Sequence, residues 1–506
     1  MINPWLHFQQ TTSCPTGDVR ERQTQWLLNC LNAHQFSVYG QKHGFCAITS
    51  VEEYQYSVPI VSYEDIAPHI SRIAAGAVNE LFCEEVLAFE KTGGSHSGGK
   101  LIPYTARGLA DFRRALVGWL SETITQHQLT QGSAYWALSP AAAGSEFTTS
   151  GHIVGAGDAL YLGEEHLVAF AQLSAVPLSL GLVEKTEEWQ LLTLYFLIRH
   201  SDLRLISVWS PTFLTLLLTA LWGRQQELLA LLSSGGLIAG HVLEQDAEAC
   251  ERYRHSLQQQ DTRLLWPELA VISCWADASS KTLADEMMSY FPSVSLQPKG
   301  LLSTEAVISV PVAMGGAALC VDSNFYEFLD DDGAISLADE VVEGGEYRVI
   351  VTTNSGLYRY QTGDRVRCIA RFKEIPRLQF LGRSGVNSDL VGEKLSEPFV
   401  IRCLDILKGF AVLATDTRAP GYVLLLDAAL SDHNAHSVGE IERRLCANPQ
   451  YHYARRMRQL APLRFMYIDN PADRYLRWRQ QQGKRLGDIK IPVLLSTEAW
   501  PEAFQT

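Results

Sequence analysis

The chain has 506 residues and a formal net charge of −14, with 46% hydrophobic and 19% charged residues. That is the balance of an ordinary globular protein, and its length exceeds the 250–300 residues, roughly, that one hydrophobic core supports. The acidic balance and the lack of a basic patch argue against nucleic acid and anionic membranes as partners.

MINPWLHFQQTTSCPTGD lacks the basic region and apolar run of a signal peptide, and the ten cysteines form no C-x-x-C. Both fit a reduced, cytoplasmic protein whose cysteines are small core residues. Residues 1–90 read as helices with short connections, since TQWLLNCLNA and ISRIAAGAVNELF place apolar residues at helical spacing. EEVLAFEKT follows as a strand and runs into TGGSHSGGKL, residues 92–101. KLIPYTARG is extended and broken by Pro103, and LADFRRALVGWLSETITQH resumes the helical period.

Gly94 to Lys100 satisfy the G-x-x-x-x-G-K of a P-loop, but Leu101 cannot ligate magnesium. A P-loop also needs a helix directly after it, and Pro103 biases Ile102 away from helix. The chemistry still suits phosphate. Gly93, Gly94, Gly98 and Gly99 let backbone amides turn toward an anion, Ser95 and Ser97 add hydroxyls, and Lys100 adds charge. In isolation such a loop is a surface turn. A serine nucleophile with His96 as base fits poorly, because neighbours on an extended chain point to opposite sides and no G-x-S-x-G elbow is present.

The apolar segment from Leu203 to Leu232 contains Arg204, Pro211, Arg224 and Glu227. A strand, a turn at Ser210–Pro211 and a buried helix explain it better than a membrane span. LRLISVWS and LAVISCWAD are similar apolar runs, each followed by a helix-like segment, the alternation of parallel buried strands in an α/β layer. From residue 305 strands dominate: EAVISVPV, ALCVDSNFYEFLD, EYRVIVTTNS, LYRYQTGDRVRCIARF and PRLQFLGR. LDDDGAI is hairpin chemistry without EF-hand spacing. The tail reads β-α-β-β-α-β, from RLQFLG through EPFVIRCLDIL, GFAVLATD, GYVLLLD and SVGEIERRLCAN to LRFMYID, a small α+β domain. That places a boundary near residues 376–390.

TGGSHSGGK, GLLSTEA, YQTGD and LGRSGVNSDLVGEKLSE occur in this order. They resemble the motif series of the adenylate-forming enzymes, the superfamily of acyl-CoA synthetases, firefly luciferase and peptide-synthetase adenylation domains. KLIPYT, VISCWADAS, QPKGLLSTEAVIS and GLYRYQTGDRVR resemble, more finely, the bacterial relatives of the plant auxin-responsive acyl acid–amido synthetases. The resemblance implies an α/β fold with a large N-terminal domain over 1–380, containing β-sheets and a β-barrel-like part. It further implies a hinge over 381–390 and a small mobile α+β domain over 391–506. The implied chemistry is ATP-dependent adenylation of a carboxylic acid, with release of pyrophosphate, then transfer of the acyl group to an amine or amino acid. A thioester-forming ligase and a non-catalytic nucleotide-binding relative are the alternatives.

Carried onto this chain, the resemblance has Ser95, Ser97, Gly98 and Lys100 hold the β/γ-phosphates, with His96 where relatives have Thr or Ser. Thr304 would touch the α-phosphate, and Glu305 would ligate Mg²⁺, a hard cation that completes its shell with phosphate oxygens. Asp364 would accept from the ribose hydroxyls, with Tyr360 in the same pocket and Arg383 near ribose or phosphate. Gly385 would be the swivel. Lys490, with Lys484 second, would be the adenylation lysine; Tyr135, Trp209, Ser210, Pro211 and Trp275 would approach the acyl group. Each of these aromatics, taken alone, is plain core.

Overall fold

The computed structural model describes residues 3–9, 18–91, 100–137, 146–155, 160–161, 163–313, 315–372, 374–383, 387–416, 418, 420–495 and 500–504. The expected phosphate ligands Ser95, His96, Ser97 and Gly98 and the expected swivel Gly385 lie outside the described residues. The fold is mixed α/β and divides into two units.

The first unit comprises Met1–Thr130, Gly144–Gln172 and Lys299–Leu381. Its helices form where the sequence caps them. Val19–His34 starts at Asp18, which accepts from the Arg20 N–H, and buries Leu27, Cys30 and Leu31. Tyr63–Ala74 carries a capping box from Ser62 and Asp65. It ends earlier than the spacing of ISRIAAGAVNELF predicts. Gly76, at φ +100, closes a C-terminal turn in which its N–H meets the Ile73 carbonyl and the Ala77 N–H meets that of Arg72.

Strands Val86–Lys91 and Leu101–Thr105 pair antiparallel on either side of the glycine loop, with Phe89 opposite Pro103. The second strand is therefore unbroken at Pro103, contrary to expectation. It is the outer strand of a four-stranded sheet, where proline is tolerated. Helix Ala106–His127 begins only after it, with Thr105 accepting from the Gly108 N–H as cap. A strand thus separates Lys100 from the helix, which excludes P-loop geometry.

The remainder of this unit is built on an eight-stranded sheet. Its order is Leu301–Leu302, Val307–Pro311, Ala317–Leu319, Ile375–Arg383, Tyr360–Phe372, Glu346–Thr352, Phe325–Leu329 and Ile335–Leu337. Gly333, at φ +90, turns the LDDDGAI hairpin. Val349, Val351, Val366 and Cys368 from this sheet share one core with Leu27, Tyr54 and Ile66 of the N-terminal helices.

The second unit comprises Gln131–Ala143, Leu173–Pro298 and Gly382–Thr506. It holds a parallel sheet in the order Ser295–Pro298, Val271–Cys274, Leu203–Ser207, Ser133–Trp136. The apolar segment from Leu203 resolves into the strand Leu203–Ser207, as expected, followed by two helices, Pro211–Gly223 and Gln225–Ser234, where one was expected. No described helix is long and apolar enough to cross a membrane.

The tail forms a second four-stranded sheet in the order Arg464–Ile468, Tyr422–Asp427, Ala411–Thr415, Leu494–Leu495. One expected strand is corrected. RLQFLG lies in Ile375–Arg383, beside Ala317–Leu319 in the eight-stranded sheet, where Leu378 is core. The tail sheet takes Leu494–Leu495 instead, parallel to Ala411–Thr415. Its two central strands, Tyr422–Asp427 and Ala411–Thr415, are buried on both faces, which is why they read as continuous apolar runs. Val412, Ala414, Val423 and Leu425 join the core of the parallel sheet, while Leu413, Leu424 and Leu426 face Val400, Ile441 and Leu445.

Candidate functional site

In the first unit, Tyr63 clamps the chain where it leaves the glycine loop. Its hydroxyl accepts from the Leu101 N–H at 2.9 Å and donates to the Leu101 carbonyl at 3.3 Å. The Lys100 ammonium lies 5.1 Å from the centre of the same ring. Further along this strand, the Tyr104 hydroxyl donates to the Thr304 carbonyl at 2.9 Å and accepts from Tyr161 at 3.3 Å. Burial pushes the Tyr104 phenol well up, and the nearby carboxylates of Glu90 and Glu305 push it further.

Thr304 and Glu305 form the tip of the hairpin between Leu301–Leu302 and Val307–Pro311. Ser303 closes that tip: its N–H donates to the Ala306 carbonyl at 3.0 Å, and its Oγ accepts from the Ala306 N–H at 3.2 Å. Gly300 enters the hairpin at φ +75, where a Cβ would stand 2.4 Å from the Ser309 carbonyl oxygen. Glu305 is 6% exposed, a buried carboxylate at a backbone turn. Among the described residues no group of three His, Cys, Asp or Glu could hold a metal. A single carboxylate fits Mg²⁺ that takes its other ligands from nucleotide phosphates and water.

YQTGD lies in the strand Tyr360–Phe372, which bulges against Glu346–Thr352 between Gln361 and Arg365. Gly363, at φ +83, makes the bulge possible. The Thr362 hydroxyl donates to the Val349 carbonyl at 3.2 Å and accepts from the Asp364 N–H at 3.1 Å. Asp364 is 4% exposed. Tyr360 is fully buried in the core, so its ring is packing as well as pocket candidate. Just before it, Arg359 forms a buried bidentate pair with Glu327, both bonds 2.9 Å. The helix after the glycine loop contributes Asp111, which accepts from Asn354 at 2.6 Å and Arg114 at 2.8 Å. Burial outweighs these bonds and pushes its carboxyl up to about 6.

In the second unit, the acyl candidates gather at the carboxyl ends of the parallel strands, the usual ligand position in such sheets. Trp209 follows Leu203–Ser207 and Trp275 follows Val271–Cys274. The Trp275 N–H donates to the Trp209 carbonyl at 2.8 Å, and the ring centres are 6.1 Å apart at 42°. The Ser210 and Thr212 hydroxyls are hydrogen-bonded at 2.6 Å, and Pro211 opens the helix Pro211–Gly223. Tyr135 is set apart from these, buried in the core with Ile206 and Ile272. The Lys490 ammonium lies 5.9 Å from the centre of the Trp275 ring. Lys484 follows the helix Pro471–Gln481, its N–H on the Arg479 carbonyl. Arg383 ends the strand Ile375–Arg383 and is half-buried.

The residues expected at the nucleotide, except Arg383, belong to the first unit; the acyl candidates and Lys490 belong to the second. Sequence reasoning missed Tyr63 and Tyr104. For Tyr104 a signal existed, since KLIPYT puts Ile102 and Tyr104 on one strand face and Tyr is the polar one.

With an eight-stranded sheet in one unit and a parallel α/β sheet in the other, the chain falls in the class of adenylate-forming ligases. Residues 10–296 match the GH3 family N-terminal domain and residues 317–383 the GH3 family central domain, and the chain belongs to the GH3 family. It is similar to the putative indole-3-acetic acid-amido synthetase GH3.10 of Oryza sativa subsp. japonica, 25% identical over 77% of this chain and 84% of that protein. It is likewise 25% identical to indole-3-acetic acid-amido synthetase GH3.6 of Arabidopsis thaliana, over 78% of this chain and 71% of that one. In fold it matches the acyl acid amido synthetase AtGH3.15 in complex with 2,4-DB, at a TM-score of 0.84 and 17% identity, over 99% and 95% of the two chains. A 2-hydroxyisobutyryl-CoA ligase in the postadenylation state is a more distant fold match, at a TM-score of 0.56 and 12% identity over 97% and 96%. The protein is an AMP-forming acyl acid–amido synthetase: it adenylates a carboxylic acid with ATP and forms an amide.

Proposed function

We propose that Lys100, with Ser95, His96, Ser97 and Gly98, holds the β/γ-phosphates of ATP, and that Thr304 meets the α-phosphate. Asp364 accepts from the ribose hydroxyls, with Tyr360 packed behind it and Arg383 reaching ribose or phosphate. Glu305 holds Mg²⁺, which when bound neutralises charge on the departing pyrophosphate. The observation that carries this reading is the Tyr104–Thr304 hydrogen bond, which ties the strand leaving the glycine loop to the hairpin tip bearing Glu305.

In the first half-reaction a carboxylate oxygen attacks the α-phosphorus, and the bond to pyrophosphate breaks. Lys100 and Lys490 supply positive charge as negative charge moves onto the phosphates. In the second, an amine nitrogen attacks the acyl carbon, AMP leaves with the bonding pair, and the nitrogen loses a proton. Trp209, Ser210, Pro211 and Trp275 form the wall for the acyl group, with Tyr135 behind them. Support comes from their place at the carboxyl ends of the strands. An amino acid is the amine, the activity takes place in the cytoplasm, and the chain is of the bacterial branch. A swivel at Gly385 lets residues 391–506 turn between half-reactions against 1–380, the large domain with a β-barrel-like part.

The test is pyrophosphate exchange into ATP across a panel containing indole-3-acetic acid, 2,4-DB, benzoic acid and straight-chain acids, followed by amine screening with product mass spectrometry. Lys100→Ala and Glu305→Ala should each reduce exchange at least about 100-fold. Full exchange in both variants would overturn the site assignment, and thioester rather than amide products would replace the acceptor.

A further inference from the structure

In the first unit, the strand Leu101–Thr105 that follows Lys100 and the strand Tyr360–Phe372 that carries Asp364 lie in different sheets. They are joined through the helix Ala106–His127 and the turn over residues 353–356, which leads from Glu346–Thr352 toward YQTGD. Helix and turn meet at three points. The Thr105 hydroxyl caps the helix by accepting from the Gly108 N–H at 3.1 Å, and it donates to the Asn354 carbonyl at 3.2 Å. Further along the helix, the Asp111 carboxylate accepts from the Asn354 side-chain amide at 2.6 Å. Between these bonds Gly108 lies so close to the turn that a Cβ there would stand 2.0 Å from the Ser355 Oγ. Asn354 thus meets the helix with both its backbone and its side chain. The turn is closed on itself and backed by other chain. The Thr353 N–H meets the Leu357 carbonyl at 2.8 Å, and the Gly356 N–H meets that of Thr353 at 3.2 Å. A Cβ on Gly356 would stand 2.7 Å from the Leu81 Cβ, and the Tyr358 hydroxyl donates to the Leu81 carbonyl at 2.7 Å. So close-packed a turn passes a shift at Asn354 to the strand that begins at Tyr360.

We propose that Asn354 is a positioning residue for ATP, setting the spacing between the strand after Lys100 and the strand bearing Asp364. This inference rests on the proposed function, under which Lys100 meets the phosphate end of the nucleotide and Asp364 the ribose end. A ligand that spans both ends makes its second contact intramolecularly, and gains from it only when the two ends are held at the ligand's own length. A ligand that occupies one end has no need of that spacing.

The experiment is read by pyrophosphate exchange, using whichever of indole-3-acetic acid, 2,4-DB, benzoic acid or a straight-chain acid the unaltered protein activates. Asn354→Ala should raise the KM for ATP about tenfold. The inhibition constant of adenosine and the KM for pyrophosphate, which probe one end each, should stay within about twofold. Asn354→Asp sets two carboxylates against each other and should raise the KM for ATP at least as much. Adding Asp111→Asn again opposes an amide to a carboxylate, and should return that KM to within about threefold of the unaltered protein. An unchanged KM for ATP in Asn354→Ala, an equal loss for adenosine and pyrophosphate, or an exchanged pair no better than Asn354→Asp alone would overturn the role of Asn354. Asp364→Ala should weaken adenosine, and Lys100→Ala pyrophosphate. If either fails to do so, the nucleotide assignment is overturned and the role of Asn354 falls with it. Thermal melting checks that each variant is folded, and Asn354→Ser takes the place of Asn354→Ala if that variant is not.

Discussion

The hydroxyl of Tyr104 donates to the carbonyl of Thr304 over 2.9 Å, joining two segments 200 residues apart in the chain. One segment follows Lys100 and the other carries Glu305. In Tyr104→Phe the Thr304 carbonyl loses its donor and the Tyr161 hydroxyl loses its acceptor. Buried polar groups left without partners cost about 1–3 kcal/mol each. We expect a lower melting temperature together with a KM for MgATP raised about five- to tenfold. Steady-state exchange kinetics check this. Lost stability with unchanged KM would make the bond structural only.

Glu305→Gln keeps the shape of the hairpin tip while removing the charge. The closure by Ser303 does not involve Glu305, so the fold should be retained. If Glu305 holds Mg²⁺, the variant needs a higher Mg²⁺ concentration for half-maximal exchange, and kcat falls about 100-fold. Titrating Mg²⁺ at fixed ATP separates the two effects. An unshifted Mg²⁺ midpoint would move the metal role to another residue.

Element types were largely legible because their patterns are local. Leu203–Ser207 and Val271–Cys274 read as buried parallel strands because both faces are covered. The helix after Thr105 was legible from Pro103 and the helical period of LADFRRALVGWLSETITQH that follows it. Which sheet a strand joins is not local. RLQFLG has the same alternation whether it pairs with the tail or with Ala317–Leu319, and the two residues Leu494–Leu495 carry no period at all. The same holds at the site. Glu305 and Asp364 stood in motifs, whereas Tyr63 and Tyr104 bond to partners distant in sequence. Pro103 was read as a break because sequence does not show that its strand lies at a sheet edge.

Asp111 gives a pH dependence whose sign is fixed. Burial raises its carboxyl in the folded protein from 3.8 to about 6. A raised acid favours the folded state while protonated. Its contribution is therefore complete below pH 4 and is lost as pH rises through 6. Asp111→Asn removes that loss while keeping an acceptor for Asn354 or Arg114. Relative to the unaltered protein, the variant should gain up to about 3 kcal/mol between pH 4 and pH 7. Urea denaturation at the two pH values measures the change. A constant difference would mean that Arg114 and Asn354 hold the carboxyl near its ordinary range.

The Arg359–Glu327 pair underlies the strand that carries Asp364. Arg359 is 4% exposed and Glu327 fully buried, and Arg359 also donates to the carbonyls of Gln55 and Val58 at 2.8 and 2.9 Å. Its carbonyl accepts from the Val61 N–H, and the next residues lead into YQTGD. In Glu327→Gln the guanidinium stays buried without its counter-charge, which costs about 3–5 kcal/mol. The double replacement Glu327→Leu with Arg359→Met removes both charges and recovers part of that. Recovery is incomplete because the carbonyls of Gln55 and Val58 then lack donors. We expect a stability order of unaltered protein, double variant, Glu327→Gln, measured by urea denaturation. A double variant less stable than Glu327→Gln would show that the two carbonyls, rather than the charge pair, dominate the energetics beneath Asp364.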